Sequence, residues 1–167
     1  YKFVRDKRLF AEIKDYFDTL NADQRTFDKL AEELLYESKI YFALLNYQDE
    51  LWNNQPEISQ AIGEINYLGF SQQLPLFLSA YIKVFSTEPD KFKLLIKKYL
   101  TFAVRRNVFM GKSPSEFEEE HSSWAINLRT DPNKIDEIIL TLEREIKRTN
   151  SIADQLSKGL ELRDKHA

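Results

Sequence analysis

Cysteine is absent from the 167 residues. That excludes a disulfide framework and any cysteine-ligated metal site, and it suits a cytoplasmic protein. Glycine and proline are scarce, at 4 and 5, and no region shows the short, turn-punctuated β-branched runs of a sheet protein. No apolar run approaches the roughly 18 residues of a membrane-spanning helix. The opening Tyr1-Lys2-Phe3 has neither an initiator Met nor a signal-peptide pattern, so the expectation is a piece excised from a longer polypeptide. Net charge is only -3, so contact with nucleic acid would have to come from a local patch. Histidine occurs twice, as His121 and His166, and neither sits at the spacing of a ligand set. Glu118, Glu119, Glu120 and His121 are consecutive; on a helix they fan around the axis and read as a solvated face. There is no Gly-rich phosphate loop, no nucleophile elbow and no thiol. No catalytic residue, metal or cofactor is expected.

What is present is apolar and aromatic. Hydrophobic residues make up 43% of the chain, with 12 Phe and 8 Tyr, far too much for a disordered segment. Apolar residues recur at three- and four-residue spacings, the mark of amphipathic helices. The segment 6–20 carries Leu9, Phe10, Ile13, Tyr16, Phe17 and Leu20 on one stripe. Thr26 is placed to cap a long helix reaching Tyr47, striped by Phe27, Leu30, Leu34, Tyr41 and Leu45. A shorter helix follows on Ile58, Ile62 and Ile65, weakened by Gly63 and stopped by Gly69. The segment 74–85 is apolar all round and is expected at the buried centre. Thr87 and Pro89 open a helix that Gly111 ends, Ser113-Pro114 with Glu116 forms a capping signal, and Asp131-Pro132 opens a helix on Ile135, Ile138, Ile139, Leu142 and Ile146. A last helix spans Ile152 to Leu162. The expected fold is all-α: one domain, residues 1–167, an irregular bundle of about seven or eight helices.

Two adjacent arginines interrupt the apolar segment 101–110. Projected at about 100° per residue, Arg106 joins Phe92, Leu95, Tyr99, Phe102 and Ala103 on the core face, while Arg105 falls on the polar face. A buried guanidinium requires a partner. Glu37, beside the stripe of Leu30, Leu34 and Tyr41, is the expected one. Arg105 keeps company with Lys97, Lys98 and Lys112, and no acid occurs between Lys91 and Ser115. Such local cation density suits phosphate contact, against the plainer reading of a solvated face screened by Glu118 to Glu120. Trp52 and Trp124 sit at helical spacing from apolar neighbours, as core or interface residues rather than base-stacking platforms.

The order of features is a helix like LFAEIKDYF, a long tyrosine-rich helix, Gln-Leu-Pro-Leu-Phe-Leu-Ser-Ala-Tyr from Gln73 to Tyr81, and Phe-Ala-Val-Arg-Arg-Asn-Val from Phe102 to Val108. It resembles the helical region of the bacterial GmrSD-type modification-dependent restriction family. That resemblance implies an anti-phage protein with a ParB-like N-terminal nucleotidase bearing an Asp-Gly-Gln-Gln-Arg motif and, in many members, an HNH-type nuclease domain. Neither motif is in this chain; Asp23, Gln24 and Arg25 echo the first but lack its glycine. The expected function is therefore non-catalytic: a helical domain that packs against and couples the missing nucleotidase and nuclease parts, with the DNA backbone as a further partner. The alternative is an interaction or homo-oligomerisation module using exposed aromatics such as Trp52, Tyr47 or Phe70, without nucleic acid.

Overall fold

The computed structural model describes residues 24–110 and 118–164, with side chains described over 24–106 and 118–149. These residues form six α-helices and no strand: α1 (Gln24–Leu45), α2 (Pro56–Tyr67), α3 (Leu74–Ala80), α4 (Pro89–Met110), α5 (Glu118–Thr130) and α6 (Lys134–Asp164). The helix expected over 6–20, the stop at Gly111 and the capping signal at Ser113, Pro114 and Glu116 lie outside the described residues. The expected count of seven or eight is corrected where the two last helices are concerned, because they are one. From Lys134 to Asp164 the chain is a single 31-residue helix. The Arg148-Thr149-Asn150-Ser151 stretch contains weak helix formers but neither glycine nor proline before Gly159, and weak propensity over four residues does not by itself end a helix.

Local chemistry sets most boundaries. Pro56 and Pro89 open α2 and α4, where a missing N–H costs nothing. Gly69, at φ 72°, ends α2 in the left-handed region. Asp131 accepts from the Asn133 backbone N–H at 3.0 Å and turns the chain into α6. At residue 87 the expectation differs in detail: the Thr87 hydroxyl donates back to the Val84 carbonyl at 3.1 Å instead of capping forward. A second difference lies in the apolar segment 74–85. It starts as α3 but widens into a π-helical turn over Tyr81–Phe85. The wider turn carries Tyr81 and Phe85 as a stacked pair, 4.6 Å between centroids, with Phe92 edge-on to both.

Helix α4 lies along α6 and is flanked by α2, while α3 packs on α5 and on α1. As its sequence predicts, α3 is central: Leu76, Phe77 and Ala80 are buried. Phe92, Leu95, Tyr99, Phe102 and Ala103 of α4 are buried as projected, against Ile135, Ile138 and Leu142 of α6. Each fully buried large side chain contributes about 1.5–3 kcal/mol. Trp52 sits in a 3-10 turn, Glu50–Trp52, initiated by Asp49. Its indole N–H donates to the Ala43 carbonyl at 2.8 Å, fixing the C-terminal end of α1 to the body. No described helix is long and apolar enough to cross a membrane.

Candidate functional site

The basic face of α4 is taken apart by its neighbours. Lys97 bonds the Glu57 carboxylate of α2, which Lys93 also approaches at 3.5 Å. Lys98 turns the other way and pairs with Glu143 of α6 at 2.8 Å. The bond from Lys97, reinforced by Lys93, holds the Glu57 carboxyl below the usual carboxylate range, and the bond from Lys98 does the same to Glu143. Two of the four expected phosphate contacts thus tie α4 to opposite neighbours. Lys112 lies outside the described residues. Arg105 has no carboxylate partner among the described residues.

The expected pairing of Arg106 with Glu37 is corrected. Both oxygens of Glu37 receive Arg129 of α5, at 2.5 and 2.9 Å, and Arg129 Nε donates to the buried Ser79 hydroxyl at 3.1 Å. The register of α5 against α1 and α3 brings its last turn to Glu37, so the fork joins three helices through one guanidinium. Arg106 is half-buried on α4, 5.4 Å from the centre of the Phe102 ring and close enough to act electrostatically on Tyr99, Glu120 and His121. It faces the start of α5 rather than α1.

His121 also departs from expectation. It is 1% exposed, not part of a solvated face. Its ring lies 5.3 Å from that of Tyr99 and 5.5 Å from that of Trp124. Burial, with Arg106 adding to it, holds its pKa down to about 4, so it is neutral at pH 7. Glu119 and Glu120 remain exposed, as the fanning of consecutive positions dictates. No group of three or more His, Cys, Asp or Glu side chains converges on a metal position among the described residues.

Two open surfaces stand out among the described residues. The first is a groove of about 750 Å³ between α2 and α4, walled by Tyr47, Tyr67, Leu68, Leu100 and Val104, with Arg105 and Glu64 among its lining residues. Gly63 forms part of its wall, and a Cβ there would meet the Tyr47 ring at 3.1 Å. Of the aromatics expected to be exposed, Tyr47 is, Phe70 is half-buried, and Trp52 is buried at 2% exposure.

The second surface is the outward face of α1. The helix reaches the body through Ile40, Ala43 and Leu44. The apolar stripe that its sequence displays points the other way: Leu34 and Leu35 are each 59% exposed and Phe42 65%, with Tyr41 and Leu45 beside them. These residues keep a seven-residue spacing in three parallel rows, Leu34 with Tyr41, Leu35 with Phe42, and Ala31 with Ser38 and Leu45. That is the repeat of a helix made to lie along another. From Gln24 to Tyr36 only Leu30 is even half-buried. No family model, no curated protein and no solved structure matches the chain.

Proposed function

We propose that this chain is a helical interaction module, whose work is to hold a partner against the outward face of α1. The observation that carries the reading is the disposition of that helix: the apolar stripe is outside, opposite the buried Ile40, Ala43 and Leu44. Contiguous exposed apolar surface of this kind marks an association site. The role is that expected of a non-catalytic helical domain of the GmrSD type, which meets other parts of a larger assembly. Contact with the DNA backbone is the weaker reading, since of the three candidate cations among the described residues Lys97 and Lys98 already serve Glu57 and Glu143, and Arg105 alone neutralises too little charge for strong phosphate binding.

The absence of cysteine makes a direct test simple. Phe42→Cys, coupled to an environment-sensitive fluorophore, reports the outward face alone. The label is expected to be water-exposed at nanomolar dilution and to become shielded when the chain associates. A label already shielded at the highest dilution would mean that the face is covered within the chain and would overturn the interaction role.

A further inference from the structure

We infer that the outward face of α1 takes a second copy of this chain, packed antiparallel along the same face. The inference rests on the interaction role just proposed and names its partner. Three features of α1 select that occupant.

The first is complementarity of size. In an antiparallel register that sets Leu34 opposite the partner's Ser38, Ala31 falls opposite the partner's Tyr41, and symmetry repeats both layers. Each layer places a large side chain against a small one, the arrangement that lets two helices approach closely and interdigitate. The second is charge. Glu32 and Lys39 lie on one edge of the stripe, seven residues apart, both exposed and neither with an ionic partner among the described residues. The antiparallel register brings Lys39 within about one residue's rise of the partner's Glu32, and the dyad makes the same pair again. A parallel two-fold arrangement carries that edge to the opposite side of the partner, so neither Glu32–Lys39 pair forms.

The third is area. Leu34, Leu35, Tyr41, Phe42 and Leu45 are 39 to 65% exposed. At about 150–250 Å² for each large side chain this is roughly 500 Å² per copy and about 1,000 Å² for the pair, the lower bound of a specific interface. The association is therefore expected to be weak, in the micromolar range, and reversible. The chain's own segment 6–20 is the competing occupant, and the dilution series below separates it from a second copy.

The test runs sedimentation equilibrium on the unlabelled chain, beside the labelled Phe42→Cys chain mixed into it as a trace, over a concentration series from nanomolar to hundreds of micromolar. Expected is a monomer–dimer equilibrium with the label shielded in step with the dimer. Lys39→Glu alone and Glu32→Lys alone should each weaken dimerisation at least tenfold. Mixing the two variants should restore it, because the mixed dimer regains both pairs. Both positions are exposed, so folding, checked by circular dichroism, should be unaffected. A chain that stays monomeric with its label exposed at every concentration overturns the second copy and leaves the interaction role standing. A label shielded at every dilution overturns both. A dimer indifferent to the charge variants, or not restored on mixing them, overturns the antiparallel register.

Discussion

Replacing His121 with Phe should remove a large part of the protein's acid sensitivity. The imidazole is buried against Tyr99 and Trp124, and its pKa is held at about 4, against 6.5 for an exposed histidine. Above pH 6.5 the ring is neutral whether the chain is folded or not, so it contributes no pH dependence. As pH falls below 6.5 the unfolded chain takes up the proton and the folded chain refuses it, and stability falls until the folded ring also protonates near pH 4. Two and a half pH units at about 1.4 kcal/mol each amount to roughly 3 kcal/mol lost across that window. Phe keeps an aromatic ring of similar size against the same neighbours and cannot titrate. Urea unfolding of both proteins at pH 7.5 and pH 4.5 isolates the contribution, because the carboxylates common to both cancel in the difference. The parent should lose about 2–3 kcal/mol more than His121→Phe between the two pH values. Equal losses, or an NMR titration that places the His121 ring near 6.5, would show that the ring is hydrated and refute the reasoning.

Arg129→Met should destabilise the fold by about 2 kcal/mol, since it strips a bidentate partner from half-buried Glu37 and leaves the Ser79 hydroxyl without its donor; a double-mutant cycle with Glu37→Gln in urea unfolding measures the coupling. Gly69→Ala should cost about 1 kcal/mol through backbone conformation alone, because φ is 72° and nothing lies within 4 Å of the added Cβ; Gly69→Asn should cost less. Fluorescence anisotropy with a short DNA duplex should show no binding that survives physiological salt, whether or not Arg105 is changed to Glu. Affinity that falls steeply with salt and disappears in Arg105→Glu would restore the DNA-backbone reading.

The apolar register of α2, α3, α4 and α6 is legible because a one-sided stripe at helical spacing has one low-energy fate when other such stripes are at hand. Local boundaries are legible where a proline, a glycine or an aspartate has a specific backbone role, as at Pro56, Gly69 and Asp131. The π-helical turn over Tyr81–Phe85 is not, because an extra residue in one turn alters no spacing that a short apolar segment displays. Partners across helices are less legible still. Glu37 needs a cation, and a projection of its own helix shows only that need. Which of the chain's lysines and arginines arrives depends on how α5 is seated on α1 and α3, a property of the packed layers. His121 illustrates the converse. One acid-rich turn hides the fact that a single position in four points inward, beside Arg106, and the apolar spacing of His121, Trp124, Ala125 and Leu128 is the signal that would have found it.

The orientation of α1 shows why amphipathicity alone does not assign a surface. Its sequence carries apolar residues on two faces: the long stripe through Leu34 and Tyr41, and the short patch of Ile40, Ala43 and Leu44. Burial favours area, so the longer stripe is the one expected inside. Yet the fold admits only about the last two and a half turns of the helix, where Trp52 reaches the Ala43 carbonyl and Arg129 locks Glu37. Those two anchors fix the rotation of α1, and the rotation puts the larger stripe outside. The anchors satisfy buried polar groups, whose loss costs several kcal/mol if left unmade. The exposed stripe forgoes only the burial that a partner can supply later. A helix fixed by its polar contacts and left with its apolar surplus outside is suited to association, and the strength of that association is set by how well the partner matches the rows of Leu34, Leu35 and Ser38.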